Sequence, residues 1–264
     1  MIIINIHNCV IFSIVVAFKL ALCNEILDIS NPDHQRIFEA VTESNQLYSK
    51  ITFCPRAGLV VKSVKDSVPN QTLWDGQTSG GDLNLVDIYT LNGNKKIALL
   101  STFYPDGYRS SYFENVNYSW NEIPLNRFYS LLDQIKNSVI FDLLNPFEEE
   151  NYDLEINYTS GLAEWVLTPK DNIYVHQVKQ ANQIIWQREN FEDKCFKIIF
   201  HGDTQTSKLV NVNLRRGQEG SQLFFEKKDD GWQPVEKEQF YQKLNQLDAE
   251  ALAEIADEFD EEIP

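Results

Sequence analysis

The chain has 264 residues, 39 acidic against 23 basic, a formal charge of −16, and a hydrophobic fraction of 43% that includes 16 Phe, 11 Tyr and 5 Trp. That length holds two domains of ordinary size, each with a core of its own, and the aromatic content excludes a disordered chain. The charge excludes a phosphate-backbone reader, which needs a basic stripe, and it disfavours an anionic membrane surface.

Residues 10–22 are apolar except for Ser13 and Lys19, and a polar run begins at Asn24. This resembles a secretory signal whose apolar core is short for a membrane span, with Ala21 and Cys23 as the small residues before a cleavage point. The expectation is a signal peptide over 1–23, secretion, and no stable membrane insertion once it is removed; an uncleaved anchor is the alternative. Cys54 and Cys195 then remain, as an interdomain disulfide or as two buried thiols. Their spacing offers no metal site.

Short runs rich in β-branched and aromatic residues follow, at 46–54, 59–65, 83–91 and 96–103, and again at 162–168, 173–179, 194–200, 208–215 and 222–226. They read as antiparallel strands. Asn92-Gly93 supplies the positive-φ pair of a tight hairpin, and Gly202-Asp203-Thr204 stands at the corresponding place later on. The period then changes from two to helical. Phe128, Leu132 and Ile135 share one face after Pro124, and Phe240, Leu244, Leu247 and Ala251 share another.

These elements recur. Trp74, Phe113-Glu114, Trp120 and Phe128-Tyr129 are matched by Trp186, Phe225-Glu226, Trp232 and Phe240-Tyr241, with 46 residues between tryptophans both times. Leu27-Asp28-Ile29 is set against Leu154-Glu155-Ile156, and Pro55 against Pro169. Such spacing means two copies of one folding unit. The predicted architecture is α+β: two tandem repeats over 24–144 and 153–247, each a meandering antiparallel sheet closed by a C-terminal helix. A linker over 145–152 joins them, and an acidic helix or tail over 248–264 follows.

With the aromatic strand Leu223-Phe224-Phe225-Glu226, the turn Lys227-Lys228-Asp229-Asp230-Gly231, Trp232 and the closing Gln239-Phe240-Tyr241 helix in view, the chain resembles the FAINT domain family, repeats frequently associated in Theileria proteins. The resemblance covers about residues 26–136 and 153–247. It implies secreted or surface-exposed parasite proteins that meet the host cell, with no established enzymatic activity, no cofactor and no catalytic residues to carry over.

Trp74, Trp120, Phe128, Trp186, Trp232 and Phe240 are expected to be core, because aromatic residues at repeating positions pack sheet against helix. Asn70, Asn117 and Asn157 each begin an N-glycosylation pattern. His34, His176 and His201 have no partner at ligand spacing, and nucleophile and phosphate-loop motifs are absent. The acidic segment carries Leu252, Ile255 and Phe259 at helical spacing, with eight carboxylates from Asp248 onward. Its functional reading is an amphipathic helix docking in a basic-rimmed groove; the plainer one is a solubilising tail. The expectation is a monomeric, non-enzymatic binding protein whose partner is an unidentified host or parasite protein, with a small-ligand carrier or an unrecognised hydrolase as alternatives.

Overall fold

The computed structural model describes residues 25–31, 38–44, 47–146, 150–158 and 161–261, and the chain forms two compact units, Met1–Ile135 and Lys136–Pro264. The expected signal lies outside the described residues.

The first unit runs β1 (Glu25–Asp28), β2 (Phe38–Ser44), β3 (Tyr48–Pro55), β4 (Val61–Asp66), β5 (Gln71–Asp75), a one-turn helix α1 (Gly76–Ser79), β6 (Asp82–Leu91), β7 (Asn94–Tyr104), β8 (Gly107–Val116), β9 (Ser119–Ile123) and α2 (Leu125–Lys136). Strands β2-β3-β6-β7-β8-β9 form a six-stranded antiparallel sheet. The β4–β5 hairpin leaves that meander and joins β1 in a three-stranded sheet, where β1 and β4 run parallel.

The second unit has β10 (Ser138–Asp142), β11 (Tyr152–Asn157), β12 (Glu164–Pro169), β13 (Tyr174–Gln180), β14 (Gln183–Gln187), β15 (Lys194–His201), β16 (Leu209–Arg216), β17 (Glu219–Lys228), β18 (Gly231–Val235) and α3 (Lys237–Glu261). Its strand order is the same: β11-β12-β15-β16-β17-β18 in the large sheet and β10-β13-β14 in the small one, with β10 parallel to β13. The protein is therefore β-rich with terminal helices, as predicted. The parallel pair and the separate small sheets correct the expectation of a single meander per unit.

The reason each unit holds together lies between its two sheets. In the first, Leu27, Val61 and Val64 of the small sheet meet Phe53, Val86, Ile88, Leu100 and Trp120 of the large one. In the second, Phe141, Val175, Val178 and Trp186 meet Leu167, Ile198, Phe200, Val212 and Phe225. Alternation along the strands sends one face of each large sheet into this core. The other face takes the helix. Phe128 of α2 packs edge-on against Tyr89 at 5.8 Å between centroids and tilted against Tyr112 at 4.9 Å. Phe240 of α3 packs on Phe224 at 5.0 Å, in a cluster with Leu209, Leu244 and Leu247.

Local chemistry sets the turns. Asn92 and Gly93, at φ 50° and 75°, make the β6–β7 hairpin, a two-residue turn whose twist matches its strands. Its counterpart between β15 and β16 is a longer loop, closed by Ser207 N–H donating to the Asp203 carbonyl at 2.7 Å. Pro124 stands just before α2, and its carbonyl accepts the Phe128 N–H at 3.1 Å. On α2 the buried face is Phe128, Leu131 and Ile135, with Leu132 half-buried, one position round from the predicted stripe.

The unit boundary falls between Ile135 and Lys136, ahead of the linker expected over 145–152. Ser138–Asp142 pairs with β13 and is already part of the second fold. The equivalent of Leu27-Asp28-Ile29 is accordingly Phe141-Asp142-Leu143, at the end of β10 and the turn after it. Leu154-Glu155-Ile156, which the sequence reading chose, lies on β11, the counterpart of β2.

Candidate functional site

The predicted aromatic positions sort into core. Trp120, Phe128, Trp186 and Phe240 are buried, while Trp74 and Trp232 are half-buried against the two inter-sheet clusters. None of the six forms an exposed stacking platform. Pro55 and Pro169 end β3 and β12, matching as expected.

The most organised polar cluster lies where β1 and β4 end. Asp28 Oδ1 accepts the N–H groups of Ser30 and Ser67, both at 3.1 Å. In the second unit Asp142 Oδ1 accepts those of Leu144 at 3.1 Å and Ala181 at 3.2 Å. Each aspartate thus ties the parallel strand to the turn after its partner. Burial raises the Asp28 carboxyl, but its hydrogen bonds and Lys65 outweigh that and hold its pKa below the usual carboxylate range.

One residue beyond Lys65, Asp66 is wholly buried. Its carboxylate accepts Lys95 Nζ at 2.7 Å, Trp120 Nε1 at 2.9 Å and the Ser30 hydroxyl. Burial pushes this carboxyl up too, and the donors from Lys95, Ser30 and Trp120 reverse the effect and leave it lowered. At the matching position in the second unit stands Gln180. Its amide donates to the Thr204 carbonyl at 3.0 Å and accepts Lys227 Nζ at 2.7 Å. These are structural links between sheets, closed on themselves.

Other chemistry-bearing residues are equally enclosed. Burial pushes the Cys195 thiol up to about 12, which removes its nucleophilic form at neutral pH. Cys54 is half-buried and is also a thiol. Burial lowers His201, with Glu164 and Asp248 opposing the shift, and its ring lies edge-on to Phe240 at 6.0 Å. Arg188 is buried beside Tyr174 and Phe191, donates to the Asn190 and Phe191 carbonyls, and is brought down to about 10 by burial. Among the described residues no group of three or more His, Cys, Asp and Glu side chains is placed to hold a metal ion. None of the described helices is long and apolar enough to cross a membrane.

Asn70 and Asn117 are exposed at left-handed turn positions, at φ 54° and 51°. Asn157 is half-buried and donates to Glu164 Oε1 at 3.2 Å.

Among the described residues of the second unit, two surfaces stand open. The first is α3, a single helix in which 248–261 continue the packed turns instead of forming a separate tail. Asp248 Oδ1 accepts the Leu162 N–H at 3.0 Å, and a Cβ added at Gly161 would stand 2.3 Å from the Asp248 carbonyl oxygen and 3.1 Å from Ala251 Cβ and Leu252 Cγ. The helix is therefore seated as far as Leu252, which is still 54% exposed. Ile255 and Phe259 fall on the helix beyond that seat; their side chains lie outside the described residues. The last turn has no basic residue. Carboxylates there oppose the negative end of the helix dipole.

The second surface is a groove of about 720 Å³ lined by 220–225 of β17 and 234–237 at the end of β18. Sequence reasoning missed it. The signal was Pro234 followed by a helix start at Lys237, which stops β18 at five residues beside a ten-residue β17.

No curated protein and no solved structure matches the chain. The model of the FAINT family, described as a domain of unknown function, DUF529, matches residues 140–217. The match runs from β10 to the end of β16, starting ahead of the expected repeat at 153 and stopping short of the 223–241 stretch on which the resemblance was noted. The chain therefore contains a segment similar to the FAINT domain, and that segment lies inside its second unit.

Proposed function

We propose that the protein is a secreted, non-enzymatic binding protein built from two tandem FAINT-type units, acting as a parasite effector or antigen through protein–protein contact with the host. Support for the duplication is the shared strand order, the parallel first strand in each unit, and the paired seats of Asp28 and Asp142. The observation that carries the binding reading is α3. Its near half is anchored by Phe240, Leu244 and Leu247, while its far half extends past the last seat at Gly161. An acidic helix end without a compensating cation is stabilised by a basic partner, so a basic-rimmed groove is the surface it fits.

Removal of residues 253–264 tests this. The shortened and full chains are compared by melting temperature and by the proteins each retains from host-cell lysate. An unchanged melting temperature with loss of a reproducibly retained protein supports the reading. Retention of the same proteins by both chains, or a clear fall in melting temperature, overturns it.

A further inference from the structure

We propose that the open edge of β17 at 219–223 is a second contact surface, which takes up an extended basic peptide as an added strand. β17 pairs with β16 along 219–226 but with β18 only along 224–228. The hairpin turns set which groups face out. Arg216 pairs with Glu219 across a two-residue turn, and Lys228 pairs with Gly231 across another. In an antiparallel ladder the closing pair exchanges both hydrogen bonds and alternate residues follow. Glu219, Ser221 and Leu223 therefore bond to β16, and Gly220 and Gln222 direct their N–H and C=O groups away from it, toward the groove.

Natural sheets guard such edges with charges, prolines or covering segments. Here 220–223 read Gly-Ser-Gln-Leu, without charge or proline, and the one charge of the open segment is Glu219 beside the hairpin turn. Residues 219–222 are exposed, and the far wall of the groove is Pro234, Val235, Glu236 and Lys237. The same half-open strand recurs in the first unit, where β8 pairs with β7 along 107–114 and with β9 only along 112–116.

The occupant follows from size, bonding and charge. Five open strand residues span about 17 Å, and their outward groups recur every second residue, which an extended backbone matches. A stable folded interface needs roughly 800 Å² from each partner, well beyond a five-residue ladder, so a second copy of this chain is a poor fit and a peptide segment a good one. Glu236 and Lys237 balance each other in the lining, so the field of the unit sets the sign. Residues 136–252, without the far half of α3, still carry 20 acidic against 13 basic side chains. That selects a basic segment, with apolar side chains alternating toward Leu223 and Val235.

The contact is independent of the far half of α3, and the test separates them. Amide exchange is followed residue by residue in the full chain, with and without an alternating lysine–valine heptapeptide at millimolar concentration. Without peptide, Gly220 and Gln222 should exchange faster than Ser221 and Leu223. With peptide, their exchange should slow by about tenfold or more, equally in a chain lacking 253–264. Gln222→Pro removes an outward N–H together with the side-chain bond to Asn213 Oδ1, so Gln222→Ala is its control; the proline should weaken binding about tenfold relative to the alanine. A heptapeptide N-methylated at alternate amides should lose binding without any change to the protein. Absence of slowing at Gly220 and Gln222, equal binding of the methylated peptide, or prior protection of both amides in a dimer seen by sedimentation would each overturn the proposal.

Discussion

The two units end their fourth strands alike, on Val64-Lys65-Asp66 and Val178-Lys179-Gln180, and the difference of one residue changes the chemistry of the join. In the first unit a buried carboxylate is held by Lys95 from β7, Trp120 and Ser30. In the second a neutral amide occupies the place, and its cation, Lys227, comes from β17. One architecture thus tolerates either a buried ion pair or a lysine held by a neutral amide, provided every polar group there is satisfied. The charge balance differs in the same direction. Residues 1–135 hold 13 acidic and 10 basic side chains, whereas 136–264 hold 26 and 13. The acidity of this protein belongs mainly to its second half, where α3 and the β17 groove lie.

The largest test of the shared architecture is truncation of the helix anchors. Phe128→Ala and Phe240→Ala should each cost about 3–5 kcal/mol and act on their own units, read by urea unfolding followed at probes in each half. Loss of both halves together would break the picture of two separate cores.

Next comes the join itself. Lys95→Met leaves the Asp66 carboxylate buried without its cation and should cost about 3 kcal/mol. Lys227→Met leaves only a neutral amide short of one donor, for about 1 kcal/mol. Equal effects would remove the contrast. Crowding the α3 seat with Gly161→Ala should cost about 2 kcal/mol, because the new methyl meets the Asp248 carbonyl, a backbone atom. Hydrogen exchange along α3 should rise with it.

Acid sharpens the contrast further. Asp66 and Asp28 both have folded pKa values below the ordinary carboxylate range. Their stabilisation is present above about pH 4 and is lost as pH falls through the lower folded values. The first unit should therefore lose stability on acidification in a way that Gln180 spares at the matching place in the second. Unfolding midpoints measured at pH 6 and pH 3 check this, and Lys95→Met should abolish most of the difference. The smallest effect expected is at Leu252→Ala, within about 0.5 kcal/mol of the parent protein, since its side chain is more than half exposed.

Much of the fold was legible because its signals are local. The Asn92-Gly93 turn, the switch to helical period after Pro124, and the Trp74/Trp186 and Trp120/Trp232 positions all rest on residues near in sequence. What stayed hidden was pairing across distance. Nothing within Ser138–Asp142 announces that it runs parallel to β13, and the sequence points instead to the more conspicuous Asn145-Pro146 and acidic run, which lie inside the second unit. The site fared similarly. Helical spacing places Leu252 on α3, but the seat of α3 at Gly161 joins residues about ninety apart, and the groove depends on where β18 stops relative to β17.

The sequence by itself determined the β-rich class, the recurrence of one aromatic pattern, the acidic character and the positions of the closing helices, since composition and short-range period act before any long-range contact forms. Only the tertiary structure decided the parallel first strands, the unit boundary, the partners of Asp66 and Gln180, and the half of β17 left open. Those depend on register between distant segments, which is set by cooperative packing of two sheets and by the geometry of buried hydrogen bonds.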